Sequence, residues 1–386
     1  MAYKHIPLDP TKIGFGTEDL KQNLGKLVVG QDEAIQAILS SYQMHLSGMN
    51  PLGRPIANLL FLGPTGSGKT RLVEATAECL LGNPRAIVKV DCAEFQHSHE
   101  IAKLVGSPPG YMGHRETRAI LSQETLDQYF APSARISLVL FDEIEKASDA
   151  LWNLLLGILD KATLTLGDCR KVDFSRAMIF LTSNLGATEM GALLNPRLGF
   201  AVQSRGAIAD EQLDRKLGRT AEEAARRKFS PEFLNRLDKI VTFKPLGKND
   251  LRQVLDIELR MVQQRIFQAG PERSFVFTTS KSAKELLLRE GTDVKYGARH
   301  LKRAIERLLV QPMSNLIATD QVRGGDCIRV ELDRSRDRLS FVRELEGLAR
   351  GSMTELVGIK MPAAAVAMGN ATPLEGAKTW RTSFFK

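Results

Sequence analysis

Long apolar runs are missing from this sequence. No stretch of eighteen apolar residues occurs in its 386 residues, which leaves no candidate for a membrane-spanning helix. Residues 1–24, MAYKHIPLDPTKIGFGTEDLKQNL, lack the apolar core of a secretory leader, so a cytoplasmic location is expected. Cysteine is scarce. Cys79, Cys92, Cys169 and Cys327 lie far apart with no C-x-x-C pair, which argues against a disulfide framework or a structural zinc site. The six histidines show no HExxH-type spacing. Aromatics make up only 6% of the chain. The net charge is +8, yet the bases are dispersed among acids and no run of five occurs. Nothing in that pattern marks a track for nucleic acid, which is not the expected partner.

What is present is alternation. The apolar content of 43% supports a large core, and the length suggests two or three domains. ANLLFLG (57–63), AIVKVDC (86–92), ISLVLFDE (136–143) and AMIFLTSN (177–184) read as short buried strands. TRLVEATAECLLG (70–82) and DALWNLLLGILDKA (149–162) between them read as helices. This order predicts an α/β fold, a parallel sheet flanked by helices. In such sheets ligands sit at the carboxyl ends of the strands. Residues 186–230 read as a polar, helix-containing connection. Residues 245–345 read as a smaller, mostly helical domain with a hairpin from CIRVEL and RLSFVREL. An N-terminal extension (1–25), read as extended, and a flexible tail (346–386) flank the large domain of 26–244 and this smaller one.

Chemistry enters with Gly63-Pro64-Thr65-Gly66-Ser67-Gly68-Lys69-Thr70, placed between a strand and a helix. This is the G-x-x-x-x-G-K-[ST] phosphate loop. Its glycines let backbone N–H groups wrap phosphates, and the helix N-terminus adds positive potential. Lys69 is expected at the β- and γ-phosphates and Thr70 at a magnesium ion, which makes ATP with Mg²⁺ the expected cofactor pair. A second strand ends in Asp142-Glu143. Asp142 is expected to hold the metal, and Glu143 to polarise the attacking water. Asn184 closes a third strand as a candidate for the γ-phosphate or that water. Gly106-Ser-Pro-Pro-Gly-Tyr111-Met112-Gly113 is a turn-rich loop that offers a flat apolar grip through Tyr111 and Met112. Read from the residues alone, Arg236 and Arg299 are arginines in a basic chain.

Taken in order, these motifs resemble the Clp family of AAA+ protein unfoldases, above all the C-terminal ATPase module of the two-ring members. The resemblance spans about residues 26–345 and rests on VVGQDEAI, GPTGSGKT, LVLFDEIEKA, LTSNLG, FSPEFLNRLD and YGARHLKRAIER. It implies that Val28 and Val29 line the adenine pocket. It makes Arg236 the finger acting on a neighbouring subunit's ATP, and Arg299 the second sensor arginine of the small domain. It makes Tyr111 the pore-loop tyrosine that grips a translocating chain. It therefore implies a homo-oligomeric ring, usually of six, that hydrolyses ATP to unfold or remodel protein substrates. Leu198-Gly199-Phe200 fits the tripeptide by which protease-coupled members dock a barrel protease; an ordinary packed loop is the other reading.

Set beside the family, the sequence carries no long N-terminal substrate-binding domain, first ring or coiled-coil insertion. The segment HRETRAILSQETLDQYFAPSARIS after Tyr111 is longer than usual and lacks the Gly-Gly step. Two other functions stay open at this level. One is a nucleic-acid motor, and the other a nucleotide-dependent ring or filament scaffold that recruits a partner.

Overall fold

In a computed structural model, the described residues are 9, 14–107, 119–130, 135–194, 207–292, 297–333 and 335–357. The chain divides into two compact units, Met1–Leu246 and Gly247–Lys386.

The first unit is built on β1 (Ala57–Leu62), β2 (Val88–Asp91) and β3 (Ser137–Asp142). A small antiparallel hairpin of β4 (Thr163–Thr165) and β5 (Lys171–Asp173) follows, then β6 (Ala177–Ser183) and β7 (Lys239–Thr242). β1, β2, β3, β6 and β7 form one parallel sheet in the order β2-β3-β6-β1-β7. Every residue of β1 and β6 is buried, as expected for strands covered on both faces. The period of two divides their side chains between two cores. Leu60, Leu62, Val139, Phe141, Ile179 and Leu181 face one side, where the Asp149–Lys161 helix packs through Leu151, Leu155, Ile158 and Leu159. Leu59, Phe61, Leu138, Leu140, Met178 and Phe180 face the other, under the Phe15–Leu27, Asp32–Leu46 and Lys69–Leu81 helices.

Three features differ from the sequence reading. The lead-in read as extended carries the Phe15–Leu27 helix; Leu20 and Leu24, spaced i, i+4, bury against the core. Gly14, Gly16 and Gly25 made that stretch look broken. β7 was hidden in the polar segment before Pro245, because only Ile240 and Val241 of KIVT are apolar. The β4–β5 turn also has a job in packing. Gly167 donates its N–H to the Val105 carbonyl at 2.8 Å, and a Cβ there would stand 2.5 Å from the Gly106 carbonyl oxygen. The turn is thus clamped against the chain that leads into the Tyr111 loop.

The second unit carries helices Lys248–Gln268, Lys281–Gly291, Ala298–Ile305 and Gln311–Ala318. A π-turn at Glu306–Val310 precedes Pro312, whose ring cannot accept the regular helical path four residues back. The expected hairpin forms from β9 (Cys327–Asp333) and β10 (Arg338–Leu345). A short β8 (Val276–Thr279) adds to it in parallel, making a three-stranded sheet. The tail reading is corrected over its first part. Arg350–Val357 is a helix, and Met353 is buried against Phe267 and Val276. Among the described residues no helix is long and apolar enough to cross a membrane.

Candidate functional site

The carboxyl ends of β1, β3 and β6 bring the expected residues together. The loop from Gly63 to Thr70 leaves β1 and enters the Lys69–Leu81 helix. Gly63, Gly66 and Gly68 all take positive φ, at 144°, 79° and 102°. Such angles suit glycine alone, and they turn successive N–H groups toward one concavity. No side chain caps the helix at Gly68, so its first N–H groups keep their capacity for an anion.

Gly63 is fixed by packing as well. A Cβ there would lie 2.6 Å from the Phe243 carbonyl oxygen and 2.9 Å from the Phe243 Cβ. Gly63→Ala is expected to destabilise the first unit by about 3 kcal/mol, through overlap and a φ denied to alanine. It should also weaken nucleotide binding at least tenfold, as roughly 1.4 kcal/mol of lost cradle geometry already gives that factor. Chemical denaturation and titration with a fluorescent nucleotide would measure both.

Lys69 is buried at 8% exposure. Its Nζ donates to the Gly63 carbonyl at 2.7 Å, the Pro64 carbonyl at 3.0 Å and Asn184 Oδ1 at 3.0 Å. Burial holds the ammonium down at about 8 against the opposing pull of Glu145, Asp142 and Glu143. It therefore remains cationic at neutral pH.

One hydroxyl organises the acidic pair. Thr182 on β6 donates to Asp142 Oδ1, and it accepts the Glu143 N–H at 3.1 Å. The register places it there, since Phe141 pairs with Leu181 and the next residues stand side by side. Lys89 on β2 adds an ion pair to Asp142 Oδ2 at 2.9 Å. Glu143 has φ 55°, a left-handed conformation uncommon for a residue with a Cβ. Its carboxylate pairs with Lys146, 2.5 Å away, and stands 3.5 Å from Asn184 Nδ2. Asn184 thus links Lys69, Glu143 and, at 3.4 Å, the Thr65 hydroxyl. A hydroxyl from Thr70 and a carboxylate from Asp142 are hard oxygen donors of the kind a magnesium ion takes. Together with the glycine cradle, the residues present fit ATP and Mg²⁺.

Gln31 joins the 26–35 segment to this loop. Its Nε2 donates to the carbonyls of Ser67 at 3.1 Å and Lys244 at 2.9 Å, and its Oε1 accepts the Lys244 N–H at 3.1 Å. Val28 is buried and Val29 half-buried just before it. Motif reading passed over Gln31, Thr182, Lys89, Lys146 and Glu145 as site residues. LTSN and DEIEK contain three of them, and the strand register is the signal that singles out Thr182.

Arg236 is not brought to this end of the sheet. Asn58, near the start of β1, donates its Nδ2 to the Arg236 carbonyl at 3.1 Å, and Asp238 Oδ2 accepts the Asn58 N–H at 2.7 Å. Five residues of strand, about 16 Å, separate Asn58 from Gly63. The Arg236 guanidinium bonds Glu232 Oε1 at 2.9 Å and faces Asp160 at 3.9 Å. Arg299 is exposed at the start of the Ala298–Ile305 helix in the second unit. Tyr111, Met112, Leu198, Gly199 and Phe200 lie outside the described residues.

Comparison with known proteins agrees with this architecture. Residues 54–240 match the AAA domain (Cdc48 subfamily), and residues 246–330 match the C-terminal, D2-small domain of ClpB protein. The chain is 37% identical over 313 residues to the chaperone protein ClpB of Helicobacter hepaticus, covering 81% of this chain and 33% of that protein. It is 36% identical over 331 residues to the chloroplastic chaperone protein ClpC3 of Oryza sativa subsp. japonica, covering 85% and 34%. The chain thus spans about a third of the length of the curated relatives it matches. A closed-state cryo-EM reconstruction of Hsp104 with ATPγS and FITC casein superimposes with a TM-score of 0.68 at 28% identity, covering 85% of this chain and 51% of that one.

Proposed function

Because the chain belongs to the Clp family of AAA+ proteins, we propose that it hydrolyses ATP as one subunit of a ring and uses the cycle to pull on polypeptide substrates. The observation that carries the hydrolysis reading is the linked set of Lys69, Asn184, Glu143 and Asp142 at the carboxyl edge of the sheet. Bound ATP with Mg²⁺ supplies the phosphoryl group and the metal charge that steadies it. The glycine cradle and the helix N-terminus hold the phosphates, and Lys69 adds positive charge there. Thr70 and Asp142 would hold the metal ion. Glu143 orients a water and takes its proton, and Asn184 aligns the two partners of that step.

The place of Arg236 supports the ring. Its main chain is bonded to Asn58, which lies about 16 Å of strand from the phosphate loop, so a neighbouring subunit is the site it can serve. A protein substrate is supported by the relatives, which are chaperones, and by the sequence of the Tyr111 loop. The clamp at Gly106 and Gly167 gives that loop a fixed base.

Tyr111→Ala is the direct test. ATPase activity should stay within about twofold, because Tyr111 belongs to none of the phosphate-binding elements, while unfolding of a tagged fluorescent protein falls by tenfold or more as an aromatic grip is lost. Undiminished unfolding would end the pore reading. Stimulation of the ATPase by single-stranded DNA, with none by unfolded protein, would move the substrate to nucleic acid.

A further inference from the structure

Glu145 stands two residues beyond Glu143, in the short turn Ile144–Lys146. Its Oε1 accepts the backbone N–H of Asn184 at 3.1 Å. Its Oε2 is shut off from solvent and has no hydrogen-bond partner. A buried carboxylate oxygen left in that condition is unfavourable, so the side chain is held there by the hydrogen bond of its other oxygen and by the attraction of the Lys69 ammonium.

The other oxygen fixes a turn that would otherwise have several settings. After Ser183 the chain leaves β6, passes Asn184 and Leu185, and swings through Gly186 at φ 76°. Ser183 Oγ accepts the Leu185 N–H at 3.1 Å, and the Asn184 carbonyl accepts the Ala187 N–H at 3.2 Å. The Asn184 N–H is bound only by Glu145 among the described contacts. The Asn184 side chain then has three polar neighbours, Lys69, Glu143 and Thr65, spread over 3.0–3.5 Å. A side-chain amide between so many partners can turn over or drift unless its main chain is pinned. Ile144, wholly buried between Glu143 and Glu145, ties the pin to the same rigid turn that carries Glu143.

We propose that Glu145 is the positioning residue of the hydrolytic site: it pins the main chain of Asn184 so that Asn184 and Glu143 meet the attacking water in one fixed relation. It touches neither nucleotide nor water itself. The inference rests on the proposal that the chain hydrolyses ATP.

The hydrogen bond needs an acceptor at Oε1 and no charge, which separates two substitutions. Glu145→Gln keeps the acceptor and should retain kcat within about threefold, a residual effect of well under 1 kcal/mol. Glu145→Ala removes it and should lower kcat by about 10–100-fold, the scale of a small misplacement of reacting groups. In both, measured on the acid side of neutral so that Lys69 stays charged without the Glu145 carboxylate, KM for ATP and the affinity for a fluorescent ATP analogue should stay within about threefold, because the cradle and the Lys69 hydrogen bonds to it are kept. Wild-type kcat in the alanine variant, or a glutamine variant as impaired as the alanine one, overturns the inference. So does a parallel loss of nucleotide affinity, which marks a collapsed loop rather than a misplaced Asn184. If the wild-type protein itself fails to hydrolyse ATP, the parent reading falls instead, so the two failures are told apart.

Discussion

Alanine in place of Arg236 is expected to lower kcat for ATP hydrolysis by about 10³-fold or more, the range in which an arginine finger acts on phosphoryl transfer. Nucleotide affinity should change little. The Arg236 backbone is held at the opening end of β1 by Asn58 and Arg54, far from its own phosphate loop. On the proposed ring the effect crosses a subunit boundary, and mixing makes that measurable. In an Arg236→Ala subunit, Glu143 is intact and lacks only its neighbour's arginine. A Glu143→Gln neighbour can supply it. A heterologous ring mixed in equal parts leaves roughly one interface in four with both groups, so activity should return when two inactive proteins are combined. No recovery on mixing, with subunit exchange verified, would place the arginine's action within one subunit.

The second large effect belongs to Glu143 alone. Glu143→Gln should reduce hydrolysis by about 10²–10⁴-fold, the usual contribution of a positioned general base, and leave ATP binding intact. The amide keeps the shape of the side chain, and Thr182 still accepts the residue 143 N–H, so the left-handed turn is preserved. The ion pair to Lys146 is lost, but both partners are substantially exposed and such a pair contributes little. Single-turnover hydrolysis and equilibrium nucleotide binding would check the two halves of the expectation. Imaging the variant with ATP would show any ring that forms, its subunit number and anything threaded through it.

Legibility followed distance along the chain. The phosphate loop, Asp142-Glu143 and Asn184 are contiguous strings, and each is announced by the buried strand before it. The parallel sheet could be read for the same reason, since β1, β3 and β6 are nearly unbroken apolar runs. What could not be read depends on pairs brought together from far apart. Gln31 and Lys244 lie 213 positions apart, and neither is unusual in its own neighbourhood. Thr182 acts on Asp142 only through the strand register. The Phe15–Leu27 helix was masked by three glycines whose weak propensity is overridden by the burial of Leu20 and Leu24. β7 and β8 have four residues each, too few for a period to stand out. Met353 in the tail helix shows its purpose only against Phe267 and Val276.

The seat of β1 also sets a timetable. Its neighbours in the sheet are β6 and β7, and its second residue, Asn58, closes onto Asp238, 180 positions later. On a ribosome making about 5–20 residues per second, roughly 10–35 s pass between the two. Through that interval one edge of the most apolar strand in the sheet has nothing to pair with, and the carbonyl of Phe243 that bounds Gly63 has not yet been made. The phosphate loop cannot take its final shape until the last strand arrives. Nucleotide therefore has no finished site on the nascent first unit, and emergence of residue 243 from the ribosome is the earliest moment at which a bound nucleotide can begin to stabilise the domain. Before it, the chain is itself an exposed, incompletely paired polypeptide of the kind that chaperones bind.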